Sequence, residues 1–330
     1  MSRLRFVGEV MGLSPLPLRL RQARTAVLGE DDVPGSKFGL SSLSQFRPRF
    51  GPRLWSGRFV VPRTALVTNL YNHTPTPIAQ GWSVRKTQVR DFRGRSLTYD
   101  SHNGTDFSIP VGTTVVAAAP GRVVRVVSEY NRGGLKLFID HGDGLMTCTA
   151  HLARSLVQVG DVVHRGQPVA LSGYSGIDAL ITFPWGTPHI HFNVWLDARP
   201  VDPFPHDGAR SMWRAGAEPT TAAPQAGQVR ASEYDGAAVD AAIASCKTPA
   251  SRERLQAIEP LWKRAAALIA ELNYYPTRFD KPPSVYARPA VRQPVLDLPF
   301  SHEEVDGVLF IDDISGWRPW RRAADHSHQG

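Results

Sequence analysis

With 330 residues, 42% of them hydrophobic and 21% charged, the chain reads as a soluble globular protein with material for one large core or two modest ones. The formal charge of +8 favours acidic surfaces such as nucleic acid, anionic lipid or a cell-wall polymer. Specific nucleic-acid binding is not expected, because the arginines are dispersed, with no dense basic block or stacking platform. Only two cysteines are present, Cys148 and Cys246; far apart and outside any CxxC pair, they argue against a thiolate zinc knuckle and a disulfide scaffold.

Residues 1–55 are rich in arginine and serine and poor in periodicity, and read as an N-terminal extension with one short helix. The start carries charges but no uninterrupted apolar stretch, so no standard secretory signal is visible, and no run of about 20 apolar residues could span a membrane. From 57 the pattern turns strand-like in GRFVVPRTALVTNLYNH, broken by Pro62, and SVRKTQVRDF is a candidate partner strand. TTVVAAAPGRVVRVVSEY splits at Pro120-Gly121 into two strands, and GLKLFIDHGDGLMTCTAHL forms a pair through the turn Gly142-Asp143-Gly144. VQVGDVVHRGQPVALSG adds two short strands, so 56–206 reads as a compact all-β domain. Residues 207–228 have the Ala, Thr, Pro and Gly content of a linker. Residues 229–330 form an accessory α/β region with two helices, around Val239, Ala242 and Ile243 and over LWKRAAALIAEL, then strand candidates PVLDLPF and GVLFIDD and a basic, histidine-bearing tail.

HNGTD places His102 and Asp106 four apart around a glycine that permits a tight bend. In TPHIHFNV, His189 and His191 are two apart, so in a strand both point to one face. These imidazoles and the carboxylate belong to the donor set of catalytic zinc, two histidines and one acid with the fourth position left for water. The alternative is a hydrogen-bonded pair of core histidines. His151, in CTAHL, is a fifth candidate. His141 reads as a brace for the turn that follows it; His73, His164, His206 and His302 have no partner at ligand spacing, and His326 and His328 read as solvated tail.

Read together from His102 to Pro203, these motifs resemble the M23 (lysostaphin/LytM-type) zinc metallopeptidase domain. The resemblance is carried in order by H-x-G-x-D (102–106), GTTVVAAAPGRV (112–123), DHGDG (140–144), AHL (150–152), VGDVVHRGQPVA (159–170), PHIHF (188–192) and Val201-Asp202-Pro203. It implies His102, Asp106 and His191 as ligands of one Zn2+ per chain, and His151 and His189 as catalytic histidines outside the ligand set. The fold it implies is mainly β, a curved antiparallel, barrel-sandwich-like sheet with a groove. The function it implies is hydrolysis of peptide bonds in bacterial peptidoglycan, outside the cytoplasm, in the periplasm or after secretion. The alternatives are a zinc peptidase of the same mechanism acting on a protein or other peptide, and a non-catalytic wall-binding or amidase-activating scaffold.

Elementary chemistry agrees with these roles. Amide hydrolysis needs an activated water and an acceptor for the developing oxyanion, which zinc and neutral imidazoles supply together. No HExxH glutamate is present to act as base. The chain departs from the family pattern at Thr149, where tyrosine is common, and at Asn193, where an acid is frequent. Twelve residues separate Gly176 from His189, where about five are usual, and this extra segment offers Phe183 and Trp185 as a groove wall.

Overall fold

The computed structural model describes residues 3–30, 32–280 and 284–314. His326 and His328 lie outside them. Thirteen strands form one sheet: β1 (Thr64–Asn69), β2 (Thr105–Ser108), β3 (Thr114–Val116), β4 (Gly121–Glu129), β5 (Gly134–Gly142), β6 (Leu145–Ser155), β7 (Val162–Val163), β8 (Pro168–Ser172), β9 (His189–Leu196), β10 (Arg199–Val201), β11 (Thr221–Ala222), β12 (Leu298–Ser301) and β13 (Gly307–Phe310). Helices are α1 (Arg3–Val10), α2 (Leu16–Leu28), α3 (Gly51–Trp55), α4 (Ile177–Thr182), α5 (Gly236–Ala244), α6 (Pro249–Gln256) and α7 (Leu261–Tyr274).

The main path of the sheet runs β11-β12-β3-β8-β6-β9-β2-β1-β13, and β4 joins it through β5 and β7. Most pairs are antiparallel, as expected of a mainly β chain. β1 with β13 and β11 with β12 are parallel, which makes the sheet mixed. The strand breaks at Pro120-Gly121 and at the 142–144 turn fall where the sequence places them. SVRKTQVRDF forms no strand; Asp100 instead accepts hydrogen bonds from Ser83 and Thr87 and holds the segment as a loop. Two of the added strands come from the far end of the chain: β12 pairs with β3 and β13 with β1, so the C-terminal residues complete the sheet. β11 lies inside the stretch that reads as a linker.

Helix α6 is absent from the sequence reading because Pro249 reads as a separator. A proline at the first turn of a helix loses no intrahelical hydrogen bond, and here Thr248-Pro249 opens α6. The N-terminal residues likewise form three helices rather than one.

Alternation along β9 sorts its side chains between two environments. Ile190, Phe192 and Val194 enter the main core with Phe107, Leu137, Trp213 and Phe300. On the other face Trp195 joins a second core, where Phe138, Met146 and Cys148 of the sheet meet Val239, Ile243, Leu268 and Tyr274 of the helices. The helical layer thus covers one end of the face that carries His189 and His191 at the other. Trp195 is 1% exposed, with ring centroids 5.6 Å from Phe138 and 6.0 Å from Tyr274. Trp195→Ala is expected to cost about 3–5 kcal/mol, read as a lower midpoint of urea unfolding.

Candidate active site

Register brings the candidate residues together. β9 lies between β2 and β6, pairing His191 with Asp106 on one side and with Ala150 on the other. β6 pairs with β9 from Leu145 to Ala150 and with β8 from Leu152 to Ser155. His151 stands at this change of partner with φ 59°, a backbone conformation unusual for a non-glycine residue. The ladder therefore breaks where the imidazole must turn toward β9, and the His151 and His189 rings come within 4.8 Å, centroid to centroid.

Asp106 is the hub. Its Oδ1 lies 2.8 Å from His191 Nδ1, 3.0 Å from His102 Nε2 and 3.7 Å from His189 Nε2. Its Oδ2 accepts from Asn69 Nδ2 at 2.9 Å. Burial opposes charge at Asp106, but the neighbouring imidazoles of His102, His189 and His191 hold the carboxyl well below its usual range. His191 is lowered by burial against the pull of Asp106, and burial beside His189 pushes His151 down to about 3.

Donor chemistry tests whether a cation fits. His102 Nδ1 lies 2.6 Å from the Leu70 carbonyl, which can only accept, so Nδ1 carries the proton. In the neutral ring Nε2 then presents a lone pair to a carboxylate oxygen 3.0 Å away. Two acceptors in contact repel unless a cation or an extra proton lies between them. One donor atom from each of His102, Asp106 and His191 lies within 4.8 Å of the others, a span one metal ion can bridge. The set fits a divalent cation, with His102 oriented by its carbonyl partner as metal-binding histidines usually are.

His151 and His189 have their own carbonyl partners. His151 Nδ1 bonds Ser175 O at 2.8 Å and His189 Nδ1 bonds Thr187 O at 2.9 Å. With Nδ1 turned to a carbonyl in each ring, the neutral form of either has its Nε2 lone pair near the cluster.

The glycine of HNGTD is needed for space rather than for its dihedral freedom. A Cβ on Gly104 would lie 2.8 Å from His191 Nε2 and 2.8 Å from the Phe192 carbonyl, and Gly104 has no positive φ. Asn193 shares the histidine face of β9 but turns to Asn103, donating to its backbone oxygen at 2.8 Å and its side-chain oxygen at 2.9 Å.

Two cavities, of about 120 and 320 Å³, flank the cluster. Residues from 26–46 line both, among them Val27, Phe38 and Leu43. The extra segment before His189 contributes Asp178, Ile181 and Thr182, and Asp178 Oδ2 is 3.9 Å from His151 Nε2. Phe183 and Trp185 do not line either cavity. Phe183 packs edge-on against Trp55 at 5.0 Å, and the Trp185 carbonyl accepts from Arg47 N at 2.7 Å. Sequence reasoning missed Asn69, Leu70 and Asp178, which lie outside the motifs; the only signal was the added length around Asp178.

Residues 100–203 match the family model described as Peptidase family M23. The peptidoglycan DD-endopeptidase ShyB of Vibrio cholerae is 40% identical over 106 residues, covering 32% of this chain and 23% of that protein. The murein hydrolase activator EnvC of Escherichia coli is 36% identical over 95 residues, covering 28% of this chain and 20% of that protein. The solved structure of a zinc containing peptidase from Vibrio cholerae is 31% identical, covering 43% of this chain and 38% of that chain, with a TM-score of 0.31. The chain thus spans about a fifth of the length of the curated relatives it matches. With the motif order, the register around Asp106 and the family match coinciding on one stretch, residues 100–203 are a Peptidase family M23 domain.

Proposed function

We propose that this protein is a zinc-dependent endopeptidase that hydrolyses peptide bonds in bacterial peptidoglycan, acting outside the cytoplasm. The observation that carries the reading is the convergence of His102, Asp106 and His191 on one point beside His151 and His189. In this reading His102, Asp106 and His191 hold one zinc ion per chain. When bound, zinc supplies a Lewis acid for the scissile carbonyl and lowers the pKa of the attacking water toward about 7.

The chain's own residues do the rest. Nε2 of His151 or His189 takes the water's proton, because each ring's Nδ1 proton is committed to a backbone carbonyl. The same Nε2 then gives the proton to the leaving amine, and the two rings share this work across the reacting centre. Asn69 and Leu70 orient Asp106 and His102. Residues from 26–27, 36–46 and 177–182 wall the groove and select the peptide entering it. In this division residues 56–206 carry the chemistry, and the flanking N- and C-terminal regions shape and brace it. Among the described residues no helix is long and apolar enough to cross a membrane.

A non-catalytic scaffold is the second reading, raised by the relative named a murein hydrolase activator. The complete set of five site residues favours the enzyme. The test is incubation with purified sacculi and with short oligoglycine and D-Ala-containing peptides, followed by mass spectrometry. New amino termini within wall peptides support the proposal. Intact sacculi alongside cleaved unrelated peptides would move the substrate class to other peptides, and no cleavage of either would favour the scaffold.

Gly104→Ala adds a test of the site's geometry. The added methyl presses on His191 and on backbone, so a stability cost of about 1–3 kcal/mol is expected. Zinc affinity is expected to fall about 10–100-fold, measured by competition with a chromophoric chelator.

A further inference from the structure

A second cluster lies away from the groove. His73, which follows β1, Asp202, which follows β10, and His206 each present a donor atom within 4.8 Å of the others. We propose that these three residues form a second zinc site that clamps the chain after β10 to the chain after β1.

The donors are held in place before any ion arrives. The Asp202 side chain is fully buried, with Oδ2 2.7 Å from His73 Nε2 and Oδ1 accepting from the Phe204 amide at 2.9 Å. Arg292 lies near enough to feel this carboxylate's charge, but its Nη2 hydrogen-bonds the backbone carbonyls of Asp202 and Phe204 rather than the side chain. His206 Nδ1 lies 2.9 Å from the Phe204 carbonyl, so it carries the proton and leaves the Nε2 lone pair free. That carbonyl contact is the arrangement that orients a metal-binding imidazole. The His73 and His206 rings stand edge to face, 4.4 Å between centroids. His73 is 20% exposed in its side chain, which gives an ion a way in from solvent.

Two imidazoles and one carboxylate suit zinc among the common divalent cations, with water as the fourth ligand. Tetrahedral bonds of about 2.0–2.1 Å set donors roughly 3.3 Å apart, so Asp202 and His73, now 2.7 Å apart, need to separate by about 0.6 Å. The clamp acts close to the catalytic cluster. The stretch it fixes includes Leu70, whose carbonyl orients His102, and Asn72, whose amide donates to the His102 carbonyl at 3.0 Å. The proposal stands independently of the peptidase reading, because none of its three residues belongs to that cluster.

The test is a zinc count. Full-length protein is stripped with chelator, equilibrated at low micromolar buffered zinc and measured by inductively coupled plasma mass spectrometry. The expected counts are two ions per chain for the unsubstituted protein, one for His191→Ala, one for His206→Ala and none for the double variant. An ion retained in His206→Ala also reports that the fold has survived. If that variant unfolds, His191→Ala decides alone: one ion supports the second site and none overturns it. A count of one in the unsubstituted protein that drops to none in His191→Ala removes the second site and leaves the first intact. Two ions retained in His206→Ala would place the second ion elsewhere, on the terminal histidines for example, and would also overturn the proposal.

Discussion

Asp106→Ala is expected to lose both zinc and hydrolysis, with kcat/KM falling about 10⁴-fold or more. Asp106 contributes the anionic donor of the cluster and touches or approaches three imidazoles through one oxygen. Without it His102 and His191 offer two nitrogen donors and no countercharge, too few to hold a zinc ion firmly. The loss is not expected to come from unfolding. Asp106 belongs to no hydrophobic cluster, and its neighbours Phe107 and Ile109 anchor this stretch in the main core. Asp106→Asn gives a closer control, because the amide keeps the shape and one acceptor oxygen while losing the charge. Metal content and wall-peptide release, measured on the same samples, check the prediction. Unchanged cleavage by Asp106→Ala would sink the zinc mechanism.

The second large effect is expected at His151. Its Nε2 lies outside the ligand cluster, so a variant should keep zinc and lose proton transfer, lowering kcat by about 10²–10⁴-fold. The choice of substitution matters because of the φ of 59° at this position. Asparagine tolerates that region better than other non-glycine residues, so His151→Asn separates lost chemistry from added backbone strain. Zinc content equal to that of the parent, with kcat reduced and KM nearly unchanged, is the expected pattern. Loss of the metal as well would assign His151 a share in holding the ion. His189→Ala should show the same pattern, and comparing the two variants reads out how the rings divide the work.

The site was legible in the sequence where it depends on local spacing. Two histidines at a strand period must share a face, and β9 puts both there. The glycine of HNGTD was also legible, although its physical reason is the close approach of His191 rather than a special dihedral. Strand breaks at Pro120-Gly121 and Gly142-Asp143-Gly144 follow from turn chemistry and could be read directly.

What could not be read depends on contacts between distant parts of the chain. Nothing local in residues 26–27 or 36–46 says that they line the groove, since that role comes from packing against α4 and the cluster. The Phe46 bridge to Gly186 seals this contact across the chain. Strands β12 and β13 are short apolar runs whose partners, β3 and β1, lie far away in sequence. His73 looked isolated for the same reason: Asp202 is 129 residues away, a separation no motif encodes. Phe183 and Trp185 read as a groove wall from their size and position, yet Asp178, Ile181 and Thr182 of the same segment face the cavity. A helical turn sets which side chains point inward, and α4 is not evident from so short a stretch.

Metal reconstitution on purified peptidoglycan decides whether wall cleavage depends on zinc held by His102, Asp106 and His191. Chelator-stripped protein is incubated with sacculi, zinc is then restored in one-equivalent steps, and soluble peptide fragments are counted. No release is expected from the stripped protein and release should recover on adding zinc, with Asp106→Ala silent throughout. Release at the full rate from protein verified to contain no metal would contradict that dependence.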